Sequence, residues 1–346
     1  MTHNMKMKIP FRRCSAIIFA LAFALPLSAQ QYTIKFATIA TEGSTWMNVM
    51  KEYDQAIRRE SSGRLGFKMY SGGVQGDEKD VLRKIKLGQL HSAGITGVGM
   101  TTIASKARIL DSPFLFKTDD EVDYVLKTYD KELKQAFDDG GFINLGWAEV
   151  GWVYVYTNTP VKIPEDLKKV KMWMWDIDPI AKAIFEQLSI NPIPLAITDV
   201  LTSLQTKLID GVYAPPLGAI VLQWFTRVKY MLNAPLADAS GAVVISRKKF
   251  DELSPDLQEI LLRNGTIYMQ KLTRLSREEN AKSIETLKKN GVTVVDPPSQ
   301  QALDSYNELG RNARRLLAGK LFSEDFLNRV EKSLSDYRTS RGKITK

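Results

Sequence analysis

Apolar positions along this chain alternate between two periods, two residues and 3.6 residues, and the clearest example is Lys168–Pro216 (KKVKMWMWDIDPIAKAIFEQLSINPIPLAITDVLTSLQTKLIDGVYAPP). KVKMWMW is a short β-prone run. Asp178-Pro179 then opens a helix, with Asp as N-cap and Pro at the first helical position. Ile180, Ala183, Ile184 and Leu188 form its apolar stripe. NPIPLAI is extended, because Pro192 and Pro194 forbid a helix there. Thr198 caps a second helix, buried through Val200, Leu201, Leu204 and Leu208, and Asp210-Gly211 ends it before the strand VYAPP. Strands alternating with helices of this length predict a parallel sheet covered by helices. Ligands in such sheets sit beyond the carboxyl ends of the strands. The ends here supply one cation, Lys171, with Trp173, Trp175 and Tyr213.

The same alternation recurs near the start. Gln31–Ile39 reads as a strand, and Ser44 caps a helix with Trp46, Val49, Met50, Tyr53 and Ile57 on one face. Leu65, Phe67 and Met69 alternate as a second strand. SGGVQG leads to a helix at Asp77, and HSAGITGVG is a buried strand and turn. Further on, Asp119–Asp138 is helical, and Phe142–Asn158 is long enough for two strands meeting near Gly151, as a chain crossing between domains would be. Leu217–Met231 reads as helix and Asp238–Ser246 as strand. Asp256–Asn290 is a very long helix suited to span two domains, Gly291–Val295 is a strand, and Gln300 to Tyr337 is helical.

Composition narrows the class. The length and the 44% hydrophobic content suit a globular protein with a large core. Lys6, Lys8, Arg12 and Arg13, the apolar run Ser15–Leu27 and Leu27-Ser28-Ala29 form a secretory signal peptide over residues 1–29. Without those four cations the formal charge falls from +9 by four, to about +5. The remaining bases are interspersed with acids, which speaks against nucleic acid as a partner. A basic tail, Arg338–Lys346, is expected to fray.

Catalytic hardware is missing. The only cysteine, Cys14, lies in the leader, and beyond the leader the only histidine is His91. That composition removes Cys/His metal sites and leaves a Ser–His–Asp triad with a single His at a helix-to-strand junction. SGGVQGDE lacks the Gly-Lys-Ser/Thr of a phosphate loop, and its acids at a helix start oppose an anion. Asp77, Glu78 and Asp80, and Asp119 and Asp120, lie where capping favours acids. No cofactor and no enzyme activity follow from the sequence.

Five landmarks occur in order: FATIATEGSTW, GGVQGDEKDVLRKIKLGQLHSA, LDSPFLF, KKVKMW and LTSLQTKLIDG. Together they resemble the DctP-type solute-binding proteins of tripartite ATP-independent periplasmic (TRAP) transporters, over nearly the whole chain beyond the leader. The resemblance implies an α/β, two-domain periplasmic-binding-protein-like fold with mixed sheets flanked by helices, crossing strands and a long spanning helix. The implied division is residues 30–151 plus 237–280 for one domain and 152–236 plus 281–337 for the other. It also implies a monomer in the periplasm that closes around a small molecule and delivers it to membrane permease subunits.

Carried over position by position, the family's usual polar contacts meet other residues. Lys171 stands where such proteins place an Arg, Val153 (between Trp152 and Tyr154) where a second Arg is frequent, and Ala214 where Asn is frequent. Met174, Ile39 and Thr96 take further contact positions, and His91 stands for a common Asp. Lys is a point charge rather than a bidentate fork. The expectation is therefore a ligand with an apolar or amphipathic body and one anionic head. Lys171 would hold the head, and Trp46, Trp152, Trp173, Trp175 and Tyr213 would wall the body. The alternatives are a conventional dicarboxylate or sugar acid held through Lys171, and an envelope scaffold or sensor with a vestigial cleft.

Overall fold

The computed structural model describes residues 1–2, 31–296 and 299–344, so the signal-peptide reading lies outside the described residues. The account below concerns the chain from residue 31 onward. Its opening unit is β1 (Tyr32–Ala37), α1 (Thr45–Glu60), β2 (Leu65–Tyr70), α2 (Glu78–Lys86) and β3 (Ser92–Thr96). Both helices start at side-chain caps: Ser44 accepts from Met47 N, and Asp77 accepts from Glu78 N. β1 pairs in parallel with β2 and with β3, as a βαβαβ pattern requires.

Next come α3 (Gly97–Ile103), a 3-10 turn (Ser105–Asp111), α4 (Asp119–Asp139), β4 (Phe142–Trp152) and β5 (Tyr154–Thr157). The long run Phe142–Asn158 thus divides at Val153. The stretch Lys168–Pro216 folds as β6 (Trp173–Trp175), α5 (Pro179–Gln187), β7 (Ile193–Leu195), α6 (Val200–Gln205) and β8 (Gly211–Ala214). β6 and β7 are parallel, and a parallel bridge from Met172 to Gly211 carries the pairing on to β8. Pro194 fits because β7 pairs on one side only, with β6.

The rest is α7 (Pro216–Val221), β9 (Tyr230–Leu232), β10 (Asp238–Ser246), α8 (Arg247–Asp251), α9 (Pro255–Lys289), β11 (Thr293–Val295), α10 (Gln300–Leu317) and α11 (Glu324–Ile344). Leu217–Met231 is therefore not one helix, because the chain turns at Gln223, held at φ 59°, and leaves through a strand. Gln300–Tyr337 is two helices broken at Ala318–Ser323. Residues 338–344 continue α11, where Arg338 donates to Glu121 Oε2 at 2.7 Å and to the Leu115 carbonyl at 2.8 Å.

Two mixed sheets result, in the orders β2-β1-β3-β10-β4 and β11-β9-β5-β8. Each is flanked by helices and forms one lobe. β4 runs straight into β5, and β10 is antiparallel to both β3 and β4. α9 crosses from the first sheet to the strand of the second that follows it. It lies so close to β4 that a Cβ at Gly265 would meet the Leu145 carbonyl oxygen at 2.2 Å. Asn280 pins the crossing: its amide donates to the Val150 carbonyl at 2.8 Å and its oxygen accepts from Leu217 N at 2.9 Å. Of the C-terminal helices, α10 packs on α5 in the second lobe, burying Tyr306 there, and α11 packs on the first lobe, with Tyr337 stacked on Tyr124 of α4 at 4.4 Å.

Candidate functional site

Between the lobes lies a cavity of about 610 Å³. Its first wall is built by the carboxyl ends of β1 and β3, through Ile39 and Thr96, and by Trp46 at the start of α1. Trp46 reaches the wall only because residue 94 is glycine: a Cβ there would stand 2.5 Å from Trp46 Cζ3. The opposite wall is aromatic. Trp173 stacks on Tyr213 at 4.8 Å and meets Trp224 edge-on at 5.2 Å, with Trp175 beside them. Two of the indoles are fixed by hydrogen bonds: Trp173 Nε1 donates to the Leu195 carbonyl at 3.1 Å, and Trp175 Nε1 to Asp77 Oδ2 at 3.0 Å. Tyr213 Oη accepts from Trp175 N at 3.1 Å. Val153, Ala214 and Phe185 add apolar surface, and Lys282 and Glu279 of α9 also line the cavity.

Eight of the ten residues proposed from sequence line this cavity: Ile39, Trp46, Thr96, Val153, Trp173, Trp175, Tyr213 and Ala214. Lys171 and Trp152 do not. β6 begins only at Trp173, so the alternation that put Lys171 beside the tryptophans does not extend back to it. Lys171 N donates to Asp210 Oδ1 at 2.7 Å, and its half-exposed ammonium donates to the Lys207 carbonyl at 2.5 Å, pointing away from the cavity. Trp152 lies on the other face of its strand from Val153, with its indole donating to Asp119 Oδ1 at 2.7 Å. Met174 packs with the apolar cluster behind the wall. His91 is structural: its Nδ1 accepts from Lys35 N at 3.1 Å, and burial lowers its pKa.

The cation on the buried wall is Arg108, which no sequence motif marked. It is 2% exposed. Its Nη2 donates to Asp178 Oδ1 at 2.7 Å, and its Nε lies 3.2 Å from Asp111 Oδ2. Asp111 is held in turn by Ser240, whose N and Oγ donate at 2.7 and 2.5 Å. The cluster closes over Gly97, where a Cβ would stand 1.6 Å from Asp111 Oδ2. Beside it, Glu78 accepts from Thr96 N at 2.8 Å, Thr96 Oγ1 at 3.1 Å and Gly99 N at 2.7 Å. Burial outweighs those donors and pushes the Glu78 carboxyl up to about 7. Asp77 and Asp111 are raised by the same cause. The acids at the start of α2 look like ordinary helix caps in sequence; only the fold shows that both are buried at the cavity edge.

Where β4 and β10 cross, Asp238 is enclosed and neither of its oxygens has a hydrogen-bond partner among the described residues, while Glu149 has one oxygen without a partner among them and the other on Arg277 Nε at 2.8 Å. Burial raises both carboxyls; the charge of Glu149 raises Asp238 further, while Glu149 is raised by Asp119 and Asp123 and lowered by Arg277. Among the described residues no group of three or more His, Cys, Asp or Glu is placed to hold a metal ion, and no helix is long and apolar enough to cross a membrane.

An apolar cavity between two α/β lobes, bridged by two strands and a long helix, is how solute-binding proteins are built. Residues 36–311 match the model of the bacterial extracellular solute-binding proteins of family 7, the DctP family. The chain belongs to this family. A curated member, the 2,3-diketo-L-gulonate-binding periplasmic protein YiaO of Escherichia coli K12, is 26% identical over 294 residues, covering 83% of this chain and 87% of YiaO. The fold matches that of a TRAP periplasmic solute-binding protein from Sulfitobacter sp. NAS-14.1 with bound β-D-galacturonate. The TM-score is 0.80 and the identity 21%, covering 87% of this chain and 100% of the other. It also matches the TRAP protein of Bordetella bronchiseptica with density assigned to pantoate, at a TM-score of 0.79 and 23% identity, covering 87% and 99%. The DctP-family chain thus has the two-domain architecture of the TRAP periplasmic binding proteins.

Proposed function

We propose that this DctP-family protein is a periplasmic carrier that captures a small organic acid with one carboxylate and delivers it to TRAP permease subunits as a monomer, without catalysis. The observation that carries the reading is Arg108, a guanidinium enclosed at the wall of a cavity large enough for such a ligand. It replaces Lys171 as the candidate anion contact. Its Nη1 makes no hydrogen bond among the described residues, so both N–H groups of that nitrogen remain for ligand oxygens. The ligands named for the three relatives, a diketogulonate, a galacturonate and pantoate, each bear a single carboxylate, and the two sugar acids among them support a conventional organic acid. Ile39, Trp46, Thr96, Val153, Trp173, Trp175, Tyr213 and Ala214 would surround the rest of the molecule.

A second reading, a monoanion with an apolar body, is favoured by the wall itself. Phe185, Ile184, Leu167 and Met172 extend the lining beyond the tryptophans and offer nothing to a hydroxyl. Each unpaired ligand hydroxyl buried there costs about 1–3 kcal/mol. Titration calorimetry with D-galacturonate, pantoate and succinate separates the two readings, with native mass spectrometry of the freshly purified protein alongside. Preference for galacturonate supports the first reading and preference for pantoate the second. Succinate as the best ligand contradicts both.

A further inference from the structure

Asp77 is 5% exposed at the N-terminal end of α2 in the first lobe. Its two oxygens do different things. Oδ1 stays at the helix start, accepting from the first helical N–H, Glu78 N, at 2.5 Å. Oδ2 faces the second lobe and accepts twice, from Trp175 Nε1 at 3.0 Å and from Ile197 N at 3.0 Å. Those donors are 98 and 120 positions away in sequence. Neighbours make the same crossing. Lys79 Nζ donates to Asp176 Oδ2 at 2.8 Å. Gly73 lies against Thr198, whose Cγ2 would be 3.4 Å from a Cβ there. Val98 of the first lobe packs into the apolar cluster of Trp173, Trp175 and Ile197.

Capping α2 needs only one oxygen, and a serine would do it. The second oxygen is what distinguishes a carboxylate at this position. A carboxylate removed from water must find donors elsewhere, and here no guanidinium supplies them. They come from the far side of the cleft, one from the ring that walls the cavity.

We propose that Asp77 is a clasp: its Oδ2 draws the two lobes together and sets the Trp175 ring against the ligand space, so that a solute enters or leaves only when both bonds break. This goes beyond the carrier function proposed above and rests on its reading of the cavity as the ligand site. Asp77 is a positioning residue, acting on the ligand through Trp175. Opening the cleft returns Oδ2, the indole N–H and the Ile197 N–H to water, so the clasp biases an equilibrium rather than locking it.

The test uses two variants that remove the crossing and keep the rest. Asp77→Ser retains a cap for α2 but is too short to reach Trp175. Trp175→Phe keeps an aromatic wall and removes the indole donor. Small-angle X-ray scattering of the ligand-free proteins reads the opening directly. Both variants are expected to have a larger radius of gyration than the parent, with the open-to-closed ratio raised roughly tenfold. Stopped-flow mixing with D-galacturonate then reads exchange, which is expected to quicken in both. Unchanged scattering in both variants overturns the clasp. Should Asp77→Ser fail to fold, Trp175→Phe decides alone. If galacturonate does not bind even the parent protein, the sugar-acid reading fails, while the scattering result still decides the clasp.

Discussion

Arg108 and Asp178 meet at 2.7 Å across 70 residues of sequence, and both are buried. Asp178 is also the N-cap of α5, its Oδ1 accepting from Ile180 N at 3.1 Å. One carboxylate therefore starts a helix of the Lys168–Pro216 stretch and holds the guanidinium at the cavity wall. With Asp111 on its other side, Arg108 ties the 3-10 turn before α4 to the start of α5.

Removing Arg108 leaves two buried carboxylates without their counter-ion. Arg108→Met is expected to lower stability by about 3–5 kcal/mol, the range for breaking a buried pair. It is also expected to abolish organic-acid binding. Lys171→Ala, which removes an exposed ammonium, should change stability by less than about 1 kcal/mol and leave affinity as it was. Urea unfolding and calorimetry on the two variants check both statements. A larger binding defect in Lys171→Ala than in Arg108→Met would restore Lys171 as the anion contact.

Gly97 is the spacer that lets this cluster close. A methyl group at residue 97 would overlap Asp111 Oδ2, which Ser240 and Arg108 hold from other sides. Gly97→Ala is expected to cost about 2 kcal/mol or more through strain and displaced ion pairing. Gly88→Ala meets no atom within 4 Å, and its strain comes from the positive φ alone. Thermal unfolding of the two variants compares a packing clash with a purely conformational effect.

Glu78 gives stability a pH dependence with a definite sign. Its folded-state value of about 7 is above its ordinary 4.5, because burial disfavours the charged form. The folded state therefore holds a proton that the unfolded chain releases. The contribution is fully present below about pH 4.5 and is lost as pH rises through about 7, amounting to on the order of 3 kcal/mol. Glu78→Gln removes this slope. The stability difference between parent and variant should narrow or reverse between pH 5 and pH 8. A difference that stays constant over that range shows that Glu78 does not titrate there.

The elements were legible where hydrophobic period and caps agree: α1, α2, α5, α9 and the strands of the first sheet all follow the pattern. So was the family, through landmarks that run in order along the chain. The polar end of the site was not. Arg108 sits in a short 3-10 turn just ahead of the LDSPFLF landmark, which supplies its local partner Asp111, but Asp178 and the cavity wall are brought to it only by the fold. Lys171 misled because alternation was extended two residues beyond a three-residue strand, whereas the backbone there bonds to Asp210. Trp152 misled for a related reason: β4 presents Val150 to the cavity and Trp152 to α4, so a tryptophan near a crossing need not face the cleft. The acids of α2 have a sufficient local explanation as caps. Local sufficiency hid their tertiary role.

The buried pair at the strand crossing gives the last prediction. Among the described residues Asp238 has no donor for either oxygen, and the charged groups that act on it are Glu149, Asp111 and Asp119 against the cation Arg277. Its carboxyl is held well above the ordinary range by burial first and by those acids second. As with Glu78, a raised value means stability that is present at low pH and lost as pH climbs through the folded-state value. Asp238→Asn keeps the shape and cannot ionise. The variant is expected to gain stability over the parent as pH increases, and to be less favoured at pH 5 than at pH 8, in urea titrations at the two values. Arg277→Met should do the opposite. It strips the cation from Glu149, Asp123 and Asp119, and its destabilisation, on the order of 3 kcal/mol, should grow with pH as the acids it leaves behind ionise. If Asp238→Asn shows no pH-dependent advantage, Asp238 already carries its charge in the folded protein, and the crossing of β4 and β10 must hold a counter-charge closer than Arg277.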